Sequence, residues 1–397
     1  MTIEFHPPAF ARHLWKTIAP RTKARYLYKA NLCLLCAAIS LSGCDDLPRG
    51  RAESQPPAPA AFALLGQASF RTGTEFEGTE IGGLSGITYD SERDLYYAIS
   101  DDRQAPGFPR FYTLNIDLDP FGVTPVAVTP VTDNNGRPFG EFQVDLEGIA
   151  RTSDRTLWIS SEGDLRFSVS PFLQSFSLSG QAIASLPLPE KFLPDRDRRR
   201  GIRHNLAFES LALTPDGRYL FSATENALVQ DGPIADTRQG SPSRLLRCDL
   251  DRQRCDREYL YLTEAIADEP NPADGFKSNG LVELVALDER HLLSLERSYS
   301  AGVGNTIRLF AIDLTAATPI EPIDALQWPL DPAIVPVEKR LLLDLNSLGI
   351  PLDNLEGMTW GPPLPDGRRS LVLVSDNNFN PFQFTQIIVF SVDPDSL

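Results

Sequence analysis

Histidine, methionine and cysteine are scarce, with four, two and five copies in 397 residues. Beyond the first 13 residues only His204 and His291 remain, too few for an imidazole-rich metal centre. Basic residues are outnumbered, 37 Lys and Arg against 53 Asp and Glu, giving a formal charge of −16. That balance argues against nucleic acid as a partner, because backbone phosphates are held by clustered Lys and Arg. No apolar run approaches the roughly 20 residues that cross a bilayer as a helix. Walker and dinucleotide glycine motifs are absent, and Gly83-Leu84-Ser85-Gly86 has its glycines misplaced for a nucleophile elbow. What is abundant is 33 Pro, 27 Gly and 22 Phe, a turn-rich and strand-rich composition rather than that of a helical bundle.

Residues 1–43 read as an address. They carry six basic residues and one acid, then an apolar run from Leu32 to Ser42 that ends in Leu41-Ser42-Gly43-Cys44. A basic region, a short apolar core and small residues before a cut site form an export signal. The final four residues resemble a bacterial lipobox, which makes Cys44 the expected lipidation site and places the protein on a membrane, facing the periplasm or exterior. Residues 44–61, rich in Pro and Ala, read as a tether, and residues 62–397 as the folded domain. Removal of residues 1–43 takes the formal charge from −16 to −21. The cysteines left for the domain are Cys248 and Cys255, on either side of a polar turn, and an oxidising compartment would join them across the hairpin.

Five segments share one pattern: GGLSGITYD…LYYAISDDR, VDLEGIART…LWISSEGD, LAFESLALT…YLFSATENA, GLVELVALD…HLLSLERSY and DNLEGMTWG…LVLVSDNNF. Each is a short apolar run, a turn and a second run, followed by further strand-like runs. Four antiparallel strands per unit, repeated, predict an all-β fold, a β-propeller of five four-stranded blades. The longer spacings leave room for a sixth, degenerate blade. The last copy supplies only three strands, so AFALLGQASF near residue 65 is expected to complete it and close the ring.

In a blade, the start of the innermost strand and the end of its neighbour share one rim. Aligned by eye, the first set is Ser85, Glu147, Glu209, Glu283 and Glu356, and the second is Asp101, Glu162, Glu225, Glu296 and Asp376. These carboxylates are expected to crowd one mouth of the channel, a repulsion that a cation or arginine must offset. Glu147, Glu162, Glu209, Glu225, Glu283, Glu296, Glu356 and Asp376 are therefore the candidate metal ligands. An all-oxygen set suits Ca²⁺, with Mg²⁺ as the alternative. Arg103, Arg203 and Arg297, with Asn205 and Asn377, are the candidate contacts for an anionic ligand, and Lys277 is a further cation near the rim.

These blocks resemble the bacterial phytase-like family known for "esterase-like activity of phytase", over about residues 64–395. The resemblance implies an exported propeller similar to calcium-dependent phytases, hence a Ca²⁺-dependent phosphoester hydrolase, probed with a small anionic phosphoester as substrate. Two other functions fit the same residues: a non-catalytic envelope scaffold whose carboxylates are structural, and a metal-dependent lactone or ester hydrolase. A monomer is expected in each case.

Overall fold

A computed structural model describes residues 61–103 and 107–397. The export segment 1–43, Cys44 and the tether up to residue 60 lie outside the described residues. Among the described residues there is no α-helix, and no helix is long and apolar enough to cross a membrane.

Among the described residues, five four-stranded antiparallel sheets make up the fold, with a two-stranded ribbon of Glu75–Phe76 and Thr79–Glu80 beside them. Blade 1 comprises Leu84–Asp90, Leu95–Ser100, Arg110–Leu118 and Phe121–Pro130. Blade 2 comprises Leu146–Arg151, Thr156–Ser161, Phe172–Ser177 and Ala182–Leu186. Blade 3 runs through Ala212–Leu213, Tyr219–Ala223, Pro242–Asp249 and Arg254–Leu262. Blade 4 runs through Lys277–Ala286, His291–Ser300, Gly304–Asp313 and Glu338–Asp344. Blade 5 takes Leu355–Pro363, Arg369–Ser375 and Phe384–Val392 from the end of the chain and Phe62–Arg71 from its start.

The innermost strands touch in the order blade 1, 2, 3, 4, 5 and back to 1, so the ring is closed. Closure rests on the antiparallel ladder from Phe62↔Val392 to Arg71↔Phe384, as the sequence suggested. Five buried apolar clusters hold the wheel together, one at each junction between neighbouring blades. Burial on both faces explains why middle strands such as Arg-Ser-Leu-Val-Leu-Val-Ser (369–375) read as continuous apolar runs. The outermost strand Phe121–Pro130 is only partly covered and mixes apolar with polar positions.

There is no sixth blade among the described residues. Part of the longer spacing goes into the excursion between Asp313 and Glu338. It lays Ile320 and Leu326 on Leu260, and Ile320 N donates to Glu258 O at 2.8 Å. The excursion thus covers the exposed edge of blade 3, which would otherwise present unpaired backbone groups. Cys248 and Cys255, facing each other on adjacent strands of blade 3, form a disulfide.

Candidate metal centre at the acidic mouth

Four of the five innermost strands carry a β-bulge. Pairing skips Ser85 in blade 1, Glu147 and Gly148 in blade 2, Val282 in blade 4 and Glu356 in blade 5. A bulge re-aims a side chain out of the pleat, and here it turns Glu147 and Glu356 into a cavity of about 790 Å³. The strands can meet at the hub because small residues follow the bulge. A Cβ on Gly148 would lie 2.7 Å from Leu211 Cβ, and one on Gly357 would lie 2.9 Å from Gly86 Cα.

Blade 4 departs from the expected alignment by one residue on both strands. Leu281 pairs with Glu296 there, whereas Leu84 pairs with Ser100, Leu146 with Ser161 and Leu355 with Ser375. Val282 therefore occupies the position of Glu147 and Glu356, and Arg297 occupies that of Asp101, Glu162, Glu225 and Asp376. In a strand, a shift of one residue sends a side chain to the other face.

Five of the expected residues lie elsewhere, Glu283 and Glu296 because of this slip and Arg203, Asn377 and Lys277 because each is engaged locally. Glu283 leaves the rim and enters the hub, where its carboxylate accepts from Leu211 N at 3.0 Å, Leu284 N at 2.9 Å and Met358 N at 3.4 Å. It ties the inner strand regions of blades 3, 4 and 5. Glu296 turns to the junction of blades 3 and 4 and accepts from Tyr261 Oη and Lys339 Nζ, both at 2.7 Å. Arg203 donates to the carbonyls of Ala227 and Gly232, holding a loop. Asn377 accepts from Gly83 N and donates to Thr72 Oγ1, fastening the ring closure. Lys277 pairs with Glu269 at 2.6 Å.

The remaining candidates do converge. Asp101, Arg103, Glu147, Asn205, Glu209, Glu225, Arg297, Glu356 and Asp376 line the cavity. Glu162 lies behind it, with Oε1 accepting from Ala207 N and Oε2 lacking a hydrogen-bond partner among the described residues. Asp145, which the alignment did not single out because it precedes the strand, completes a buried triad. One oxygen from each of Asp145, Glu147 and Glu162 lies within 4.8 Å of the others. Arg103 Nε sits 2.5 Å from Asp145 Oδ1, and its Nη2 donates to Asn205 Oδ1 at 2.8 Å. Across the cavity Arg297 Nη2 lies 2.8 Å from Glu356 Oε1 and 3.6 Å from Glu225 Oε1.

Two arginines do not neutralise so many acids. Burial, reinforced by neighbouring carboxylates, pushes the Glu147, Glu162 and Glu209 carboxyls well above their usual range. Burial raises Asp376 to about 8, with Glu356 adding to the shift. It raises Glu225 to about 7 and Asp145 to about 6, opposed by Arg297 and Arg103 respectively. Acids this close and this dry favour either protons or a cation. The ligand atoms are all hard oxygens, Glu162 Oε2 has no hydrogen-bond partner among the described residues, and the triad could hold a hard cation by three of its ligands.

A five-bladed propeller with carboxylates gathered at one mouth defines the class. The sequence profile of the phytase-like family, described as "Esterase-like activity of phytase", matches residues 79–379, and the chain belongs to that family. An "Uncharacterized secreted protein" of Arthroderma benhamiae is 24% identical over 231 residues, covering 51% of this chain and 44% of that protein. The match thus spans less than half of that relative. Among solved structures, a Lactobacillus plantarum protein is 16% identical with a TM-score of 0.34, covering 80% of this chain and 69% of the other. A protein of unknown function from Dyadobacter fermentans is 11% identical with a TM-score of 0.41, covering 84% and 100%.

Proposed function

We propose that this chain is an exported phosphoester hydrolase that depends on a divalent cation, Ca²⁺ by preference and Mg²⁺ otherwise, held at the acidic mouth. The observation that carries the reading is the buried triad of Asp145, Glu147 and Glu162 beside an open cavity that holds further carboxylates. When bound, such a cation supplies charge that shields a phosphate and lowers the pKa of water. Arg103 and Arg297 line the cavity and would complete the contacts of one anionic group. Hydrolysis breaks the bond between phosphorus and the alcohol oxygen, and the departing alkoxide needs a proton. Glu225 and Asp376, which retain protons near neutrality, stand at the same cavity as candidate donors.

Export is supported by the leader-like residues 1–43 and by the secreted relative. Cys44 would carry the lipid that holds the domain at a membrane, so the partners of the protein would be that membrane and a small anionic substrate. The test is turnover of p-nitrophenyl phosphate, phytate, lactones and short esters by the residue 62–397 domain, with and without Ca²⁺. Phosphoester hydrolysis abolished by chelator is the expected result, and chelator-insensitive turnover would overturn it.

A scaffold without chemistry is the second reading. It is favoured by the carboxylates that serve neighbouring backbone, such as Glu283 on Leu211 N and Glu162 on Ala207 N.

A further inference from the structure

The mouth is not acidic all round. On the side of blades 4 and 5 the apolar side chains of Phe276, Tyr299, Leu352, Phe382 and Phe384 join the polar lining and form an aromatic-rich lip. Phe382 is 93% exposed and Phe276 69%, the two highest values among the exposed large hydrophobic residues described. Single exposed apolar residues need no explanation, but several that converge on one cavity mark a binding surface. Phe276 and Tyr299 stand with ring centroids 6.1 Å apart.

Phe382 is presented on a fixed loop. Its N donates to Asn380 Oδ1 at 3.0 Å, Gln383 N donates to Asn380 O at 2.9 Å, and Gln383 Nε2 donates to Asp353 Oδ1 at 2.9 Å. A loop backbone held in place before binding forfeits little entropy when a ligand arrives. The cavity is meanwhile poor in free cations. Arg103 and Arg297 are the basic residues among its described lining, and both already engage Asp145 and Glu356. A ligand bearing many phosphates would therefore meet a wall of carboxylates.

We infer that the apolar lip is a substrate subsite, and that the substrate is a monoester joining one anionic group to an aryl or similarly apolar alcohol rather than a polyphosphate. The apolar group lies on Phe276, Tyr299 and Phe382 while the anionic group points to the carboxylate ring. This rests on the phosphoester reading proposed above.

Calorimetry on the Ca²⁺-loaded protein with phenylphosphonate and methylphosphonate, which are not hydrolysed, tests it. Phenylphosphonate is expected to bind about tenfold more tightly. The double variant Phe276→Ala, Phe382→Ala should reduce that preference to about twofold while leaving methylphosphonate affinity unchanged. Both side chains are exposed, so an unchanged melting temperature checks the fold. Equal affinity of the two phosphonates would overturn the subsite and leave the phosphoester reading standing. Binding of neutral phenol, lost in the double variant, with neither phosphonate bound, would support the lip and overturn the phosphoester reading. Failure of all three probes would overturn both.

Discussion

Arg297 Nη2 lies 2.8 Å from Glu356 Oε1, an ion pair between blades 4 and 5 made by the one blade that puts a cation where the other four put an acid. Burial opposes the charge on Arg297, but Glu356, Glu225 and Glu209 hold the guanidinium firmly protonated. Replacing it leaves those carboxylates without a counter-charge. Arg297→Gln is expected to destabilise the domain by about 3 kcal/mol, the usual consequence of removing one partner from a buried pair. Urea unfolding at neutral pH measures this, and Ca²⁺ should restore part of the loss.

The acidic ring should make stability depend on pH in a direction opposite to that of ordinary paired carboxylates. Glu225, Asp376 and Asp145 have folded pKa values raised to about 7, 8 and 6, so the folded state retains protons that the unfolded chain releases. Their contribution to stability is full below about pH 4 and is lost as pH rises through about 6 to 8. Thermal melts of the metal-free domain should show a falling midpoint across that window. Added Ca²⁺ should raise the midpoint more at pH 8 than at pH 5.

Glu147 and Glu283 were equivalent in the aligned sequence but are not equivalent in space. Glu147→Gln removes a like charge from the triad, so it should weaken Ca²⁺ binding at least tenfold while slightly raising metal-free stability at pH 8. Glu283→Gln should instead lose about 1–2 kcal/mol, because its amide cannot accept all three backbone N–H groups with one oxygen. Its Ca²⁺ affinity should stay unchanged. Paired calorimetry and urea unfolding of the two variants separate these outcomes.

The Cys248–Cys255 disulfide closes a short loop. Chain-entropy reasoning gives such a loop about 2.5 kcal/mol. The Cys248→Ser, Cys255→Ser pair should lose about that much in urea unfolding, with Ca²⁺ affinity intact. A change in affinity would mean that the outer hairpin of blade 3 influences Glu209 and Glu225 at the mouth.

Blade number, ring closure and the carboxylate rim were legible because each rests on repetition. Five strand starts containing Gly, Glu or Ser recur, and a fourth strand missing at the end had to come from Phe62–Arg71. The slip in blade 4 was not legible, because Glu283 and Glu296 look like the anchor residues of the other copies. Only the bulge, which pairs Leu281 with Glu296, reveals that Val282 and Arg297 hold those positions. Aligning Leu281 with Leu355, rather than glutamate with glutamate, would have exposed it. Asp145 was missed because it precedes the repeating strand, and the aromatic lip because Phe276 and Phe382 lie in connections without periodicity.

Phe62 lies opposite Val392, and Asp393 N donates to Ala61 O at 3.0 Å. The first described strand must therefore wait for nearly the last, and the wheel cannot lock until the whole domain has emerged. For the export proposed above, that order would keep the ring open until the last strand has crossed, since closure on the wrong side has no partner strand to complete it.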